Sequence, residues 1–322
     1  MAETNSNDLN AGVLLANLGT PEAPRRRPVA KFLREFLSDP RVVDLPRYLW
    51  LPLLYLVIIP LRAGRSAVAY RKIWGPEGSP LLVLTRRLTA RLGASLAGLA
   101  IVDMGMRYGE PSIRSGLEKL RKAGVERLVI IPLYPQYSGT TTASIYDAVE
   151  EALIAMEWQP KIHRIQHYHE QKNWIAAVAD SITAFRENHG TARQLIFSLH
   201  GIPQRYVANG DPYEQQCRQS VEAIASRLGL GEDEWQLTYQ SRVGREPWLQ
   251  PYTDVTLRQL AASGVRSVQV ICPGFAVDCL ETLEEIAMQN KETFLAAGGE
   301  KLEYIPALND SDAHVRLLME LI

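Results

Sequence analysis

Cysteine is scarce in this chain. Cys217, Cys272 and Cys279 are all it has, and no two of them form a C-x-x-C pair. So odd and sparse a count excludes a disulfide framework and points to a reducing compartment. A charge excess is missing too: lysine and arginine number 35, aspartate and glutamate 36, and the net charge is −1. With no basic surplus to hold a phosphate backbone, nucleic acid is set aside as a partner. The opening residues, MAETNSNDLN, are polar and acidic and do not read as a secretory signal. No G-x-G-x-x-G follows a strand, and there is no Walker loop, no G-x-S-x-G elbow and no H-E-x-x-H. The common nucleotide, hydrolase and zinc-protease readings lose their support. Apolar runs are short. LWLPLLYLVIIPL (49–61) has 13 consecutive apolar residues, broken by Pro52 and Pro60. A spanning helix needs about 20, so this segment is expected not to span. Two readings of it stay open: a buried helix or hairpin, or an exposed apolar lip that touches a bilayer or guards a pocket. Arg47, Arg62, Arg65, Arg71 and Lys72 flank it and suit anionic headgroups. The expected location is cytoplasmic, with peripheral membrane contact only through 49–61.

What is present is an alternation. The chain of 322 residues, 46% apolar, suits two domains of about 150 residues or one large unit. GVLLANL (12–18), IVDMGMR (101–107), RLVIIPL (127–133), QLIFSLH (194–200), WQLTYQS (235–241) and SVQVICP (267–273) read as short buried strands. Helical patterns fall at 81–97, 112–123, 142–157, 172–188, 214–228 and 279–296. Strands spaced by helices imply βαβ units and parallel sheets, an α/β fold. The two halves echo one another. LANLGTP (15–21) matches FSLHGIP (197–203), RYGEP (107–111) matches RVGREP (242–247), and GVERLVIIP (124–132) matches GVRSVQVICP (264–273). Three matches in the same order predict an internal duplication. The reading is two similar Rossmann-like domains, 1–160 and 161–322, facing across a cleft, with an insertion at about 25–80 in the first.

Ligands in such sheets sit beyond the carboxyl ends of strands. His200 stands at one such end, with Leu18 as its counterpart in the first half. In CPGFAVDCLETLEEI (272–286), Asp278 and Glu281 have the spacing of a capping box, which is one reading. The other is chemical. Glu281 and Glu285 are four apart on one helix face, with Asp278 beside them, an acidic row able to bind a cation or relay protons. Glu284, one position round the helix, is expected to face away. YPQYSGTTTAS (134–144) offers hydroxyls at a strand-to-helix turn, either caps or a polar anchor. Trp248 lies on a loop, as a packing anchor or a ligand platform. His163, His167 and His169 would share one face if their segment were a strand, and read as a solvated face.

Taken together these segments resemble the ferrochelatases, which insert ferrous iron into a porphyrin to make haem. The resemblance rests on NLGTPEAP (17–24), FLSDPRVV (36–43), YRKIWGPEGSPL (70–81), MRYGEPSI (106–113), PLYPQYSGTTTAS (132–144), SLHGIP (198–203), GDPYEQQC (210–217), TYQSRVGREPWLQPYTD (238–254) and PGFAVDCLETLEEI (273–286). It implies that His200 and Glu281 are the catalytic pair and the candidate metal ligands, with Glu285 and Asp278 as a proton relay or metal path. It places porphyrin contacts at Asn17, Leu18, Arg107, Tyr108, Tyr137, Trp248 and Phe275. Cys279 stands where many relatives have histidine, and Leu18 resembles the branch that uses protoporphyrin. Three cysteines are too few for the four-cysteine iron–sulfur cluster of some members, so no permanently bound cofactor is expected. Ferrous iron and protoporphyrin IX are then the substrates.

A free porphyrin carries two pyrrole N–H groups in a rigid plane, and iron enters only when the ring bends and both protons leave. The expectation is that His200 accepts a pyrrole proton, Glu281 orients it or takes a further proton, and Glu285 and Asp278 pass charge to water. Metal ligation by His200 is the alternative. Arg107 and the hydroxyls from Ser138 to Thr142 are candidate partners for the propionates. A tetrapyrrole carrier without chemistry and a cobalt chelatase acting on a corrin precursor are the rivals. The carrier needs no His–carboxylate pair, and the corrin precursor would want a basic pocket.

Overall fold

The computed structural model describes residues 10–244 and 246–322. Among them run eight strands: β1 (Ala11–Gly19), β2 (Ile101–Tyr108), β3 (Arg127–Pro132), β4 (Lys161–Arg164), β5 (Gln194–His200), β6 (Trp235–Gln240), β7 (Ser267–Ile271) and β8 (Lys301–Ile305). They form two parallel four-stranded sheets, in the orders β2-β1-β3-β4 and β6-β5-β7-β8. The inner strands β1, β3, β5 and β7 are buried along most of their length, which is why they read as continuous apolar runs rather than alternating ones. The edge strand β4 (KIHR) is mostly exposed and β8 (KLEYI) alternates, so neither has the apolar signature of the six strands read from sequence.

The order of strands repeats strand for strand, β1 with β5, β2 with β6, β3 with β7, β4 with β8. One sequence match is shifted. The backbone N–H of Met106 donates to the Pro111 carbonyl (2.7 Å), and that of Tyr239 to the Pro251 carbonyl (2.8 Å). Pro111 therefore corresponds to Pro251, not to Pro247, and the longer loop 240–250 replaces 107–110. That loop carries Trp248. The repeat extends to a wide turn that sequence does not disclose. A π-helical turn, Gly139–Ala143, precedes the helix Ser144–Ala155, and a ten-residue π-helix, Glu281–Asn290, precedes the helix Lys291–Ala296.

The chain divides into two units. The first holds 1–134, 139–166 and 310–322, and the second holds 135–138 and 167–309. In the first, Leu14, Ala16 and Ile130 of the sheet pack on Leu117, Leu120 and Val149 of its helices. In the second, Ile196, Val268 and Val270 pack on Leu257, Ile286 and Phe294. The helix after β4, Lys172–His189, belongs to the second unit, while the helix after β8, Asp312–Glu320, belongs to the first. His163, His167 and His169 share no strand face: β4 ends at Arg164, His163 lies in the first unit, and His167 and His169 lie in the second. His169 is buried rather than solvated, and its Nε2 meets Gln219.

Residues 47–73 correct another expectation. Pro52 and Pro60 do not interrupt the segment, which is one helical run of 27 residues, Arg47–Ile73. A π-helical turn, Leu54–Ile58, lies between the prolines, with the Ile59 N–H on the Leu54 carbonyl. The run is long and apolar enough to cross a membrane by length and composition alone, with 22% of its most apolar window buried. Its inner face, Leu54, Ile59, Ala63, Ala67 and Tyr70, is buried, and the helix Arg26–Leu37 packs beside it. Tyr48, Leu49, Leu56 and Leu61 are exposed, which favours the lip over the buried helix.

Candidate active site

His200 ends β5 in the second unit and is half-buried. Its Nδ1 lies 2.7 Å from the Gly201 carbonyl oxygen. A carbonyl only accepts, so Nδ1 carries the hydrogen and the neutral ring leaves its lone pair on Nε2. The rings of Trp248 and Phe275 flank the imidazole, each with its centroid 6.5 Å away. Gly201 lets Trp248 come this close, since a Cβ there would stand 3.2 Å from the indole. The Trp248 Nε1 hydrogen is buried without a partner.

Glu281 and Glu285 share the π-helix that follows β7. The capping-box reading of Glu281 does not hold. The Asp278 N–H, which a capping-box glutamate at 281 would accept, donates instead to Asn309 Oδ1 (2.8 Å), so the Glu281 carboxylate is left for other work. Burial, then the charge of Glu281 and a hydrogen bond to it, push the Cys279 thiol up, which keeps it a neutral donor to that carboxylate. Glu285 is bound by Ser241, which donates from its backbone N–H (2.8 Å) and from its hydroxyl. Burial pushes Glu285 above the usual carboxylate range. The Ser241 hydrogen bonds and the nearby His200 act against that shift, and Glu281 adds to it. Ser241 has a left-handed backbone (φ 67°), a conformation that a residue with a side chain holds only where its surroundings fix it.

Asp278 takes a different place from the one expected. Its carboxylate accepts from Thr282, Tyr304, Asn309 and the Ala307 backbone, so it ties the strand-to-helix turn to the segment around β8. Oδ1 accepts three of these hydrogen bonds and Oδ2 one, so the carboxylate is engaged in holding this turn. Glu284, expected on the solvent side, is buried and accepts from Gln289 at 2.5 Å, a spacing of five that the π-helix creates.

In the first unit, Arg107 and Tyr108 converge on a residue that sequence reasoning passed over. Asp39 Oδ2 accepts from Arg107 Nη2 (2.6 Å), the Tyr108 hydroxyl (2.7 Å) and the Ser144 hydroxyl (2.6 Å), and Arg107 Nε donates to Ser144 (2.7 Å). Burial pushes the Asp39 carboxyl up, but the Ser144 and Tyr108 hydrogen bonds, the Arg41 backbone and the Arg107 charge hold it below its ordinary value. The Arg107 charge is thus already matched, and it is no free anchor for a propionate. Leu18 is half-exposed at the end of β1, while the Asn17 amide turns to Thr85 (3.1 Å). Tyr137 belongs to the second unit, where its backbone N–H donates to Gln216 (2.7 Å) and its neighbour Ser138 donates to Asp211 (2.9 Å). The Thr141 and Thr142 hydroxyls are buried without partners.

The second unit therefore gathers His200, Trp248, Phe275, Glu281 and Glu285, and the first unit, by itself, gathers Arg107 and Tyr108 on Asp39. Among the described residues, no three His, Cys, Asp or Glu side chains converge as a metal centre. Gln240 and Ser241 are site residues that sequence missed. The one signal lay in the repeat, where register pairs His200 with Gln240 as β1 aligns its own end with Arg107 and Tyr108.

Comparison with known proteins follows this geometry. The family model described as ferrochelatase matches residues 10–322. A ferrochelatase of Methylococcus capsulatus is 53% identical over 97% of this chain and 95% of its own length. One of Vibrio cholerae is 49% identical over 98% of both, and one of Xanthomonas axonopodis pv. citri 53% over 96% of both. Among solved structures, SirB from Bacillus subtilis with Fe3+ aligns with a TM-score of 0.57 at 10% identity, covering 97% of this chain and 95% of that one. CbiX, the terminal enzyme for biosynthesis of siroheme in denitrifying bacteria, aligns at 0.51 and 14%, covering 96% and 97%. At such identities these two share the fold alone.

Proposed function

The chain belongs to the ferrochelatase family, and on that premise we propose that it inserts ferrous iron into protoporphyrin IX, releasing two pyrrole protons and forming protohaem. The observation that carries the chemical reading is the tautomer of His200. With Nδ1–H fixed on the Gly201 carbonyl, Nε2 is the atom that takes a pyrrole proton. Glu281 stands in the same site, released from capping by Asn309, and receives the proton next or holds the imidazolium. Glu285, whose carboxyl favours its protonated form through burial, passes the proton on. Each pyrrole N–H bond that breaks yields a proton to this path, and iron takes the place of the two protons in the ring. Asp278 has no step.

Iron is a substrate here, not a resident cofactor, and no iron–sulfur cluster is proposed, since the chain has three cysteines and such a cluster takes four. Asn17, Leu18, Arg107 and Tyr108 of the first unit, and Tyr137, Trp248 and Phe275 of the second, are the proposed porphyrin contacts. Leu18 and the charge-matched Arg107 favour an apolar ring edge over a further carboxylate, which supports protoporphyrin over more acidic relatives. The exposed face of the Arg47–Ile73 helix is the proposed contact with a membrane, and the protein is otherwise assigned to the cytoplasm.

The test is anaerobic. The protein is mixed with protoporphyrin IX and ferrous iron, and loss of the free-porphyrin bands is followed. Catalytic conversion is expected. Stoichiometric porphyrin binding without turnover would overturn the reading in favour of a carrier.

A further inference from the structure

Gln240 is buried at the end of β6, and its backbone carbonyl and both polar side-chain atoms are hydrogen-bonded. Its backbone carbonyl accepts the Gly201 N–H at 2.8 Å, on the residue directly after His200. Its side-chain oxygen accepts from the Ser198 hydroxyl (2.7 Å), two residues before His200, and from the Cys272 thiol (3.4 Å) at the end of β7. Its side-chain Nε2 donates to the backbone carbonyl of Glu281 (2.9 Å), the first residue of the π-helix. One amide thus spans the strand that carries His200 and the helix turn that carries Glu281. A helix carbonyl keeps a second lone pair beyond the one its own backbone donor uses, so a side-chain donor there ties where the first turn sits.

The duplicated half makes the same kind of link. Arg107, at the end of β2, donates to Ser144, the first residue of the helix after β3. In both units the second strand's end reaches across to the helix after the third strand. In the second unit that link lands on Glu281.

We propose that Gln240 is a positioning residue: it sets the Glu281 turn against the His200 strand end, through the Nε2 bond to the Glu281 carbonyl. The inference rests on the assignment of His200 and Glu281 as the reacting pair. It is tested with Gln240→Met, which keeps the volume and removes both side-chain hydrogen bonds, and Gln240→Glu, which keeps an oxygen for Ser198 and loses the donor to Glu281. Both are expected to lower kcat about 10²-fold, as misplacement of a reacting group by about 1 Å does, with porphyrin KM held within about twofold. The decisive measurement repeats Gln240→Met in a Glu281→Gln background. If Gln240 acts through Glu281, the second substitution adds almost no further loss. Independent, multiplying losses would overturn the proposal, as would a kcat within threefold of wild type in both single variants. Should Gln240→Met fail to fold, as a melting curve would show, Gln240→Glu carries the same comparison. His200→Ala and Glu281→Gln run alongside separate the two claims. Normal turnover in those variants would overturn the underlying pair, whereas their inactivity with normal Gln240 variants would overturn this inference alone.

Discussion

A hydrogen bond to a carbonyl decides what His200 can do, and the same holds at each residue of the site: the partner, not the side chain alone, sets the chemistry. His200 and Glu281 are legible in sequence because each stands at a place with a pattern, a buried run that ends and a helix that starts. Asp39 and Gln240 are not. An aspartate before a proline and a glutamine at a strand end obey no periodicity, and their partners assemble only in the fold. Glu281→Gln is expected to lower kcat by at least about 10²-fold, the scale of a lost general acid–base group, with porphyrin binding retained in a titration. Glu284→Gln is no longer the neutral control that its sequence position suggests, since its carboxyl is buried. Glu292, exposed on the helix that follows, Lys291–Ala296, is the better one. Asp39→Asn is expected to cost about 1–3 kcal/mol at pH 7, because it weakens the acceptor of three buried donors. The Asp39 carboxyl is held below its ordinary value in the folded state by the Ser144 and Tyr108 hydrogen bonds, which with the Arg41 backbone and the Arg107 charge outweigh its burial. Its contribution is therefore full above the unfolded value and fades as pH falls through the folded one. Urea melts should show the gap between wild type and Asp39→Asn shrinking towards pH 3, and a gap that widens there would contradict this account.

Among the elements, strands buried on both faces are the easiest to read, and six of the eight show as apolar runs. The edge strands β4 and β8 escape because charged residues, Lys161 and Arg164 in one and Lys301 and Glu303 in the other, break the apolar run. Helix width escapes for another reason. Nothing in the local propensities of ETLEEIAMQN distinguishes ten residues of π-helix from α-helix, and the Glu284–Gln289 spacing becomes meaningful only afterwards. The Arg47–Ile73 helix misleads in the opposite direction, since two prolines suggest a break and the helix runs through both. Its outer leucines, Leu56 (76% exposed) and Leu61 (66%), contribute little to folding. Replacing both with serine should leave the melting temperature within a degree or two, because exposed substitutions stay within about 0.5 kcal/mol. Binding to anionic vesicles in a sedimentation assay should fall about tenfold or more for each leucine that enters the bilayer, at about 1.5–3 kcal/mol apiece. Unchanged vesicle binding would remove this face from the membrane.

For the whole molecule, the duplication is the feature most visible from the chain alone, and the order of strands bears it out. The traffic of helices between units is invisible to it, because Asp312–Glu320 follows β8 in sequence yet folds with the first unit. There it lies along the helix Pro80–Ser95 and buries Val315, Leu317 and Leu318. A chain cut after Asn309 should therefore melt at lower temperature through loss of the first unit's packing, although β5 to β8 remain complete. The reaction itself is the last test. Wild type and His200→Ala, each saturated with protoporphyrin under anaerobic conditions, are mixed with ferrous iron and followed through a single turnover across a range of pH. The account predicts rapid insertion by wild type, and a bound porphyrin in His200→Ala that keeps its free-base spectrum. Insertion by His200→Ala at close to the wild-type rate would contradict the assignment of Nε2 as the atom that takes the pyrrole proton.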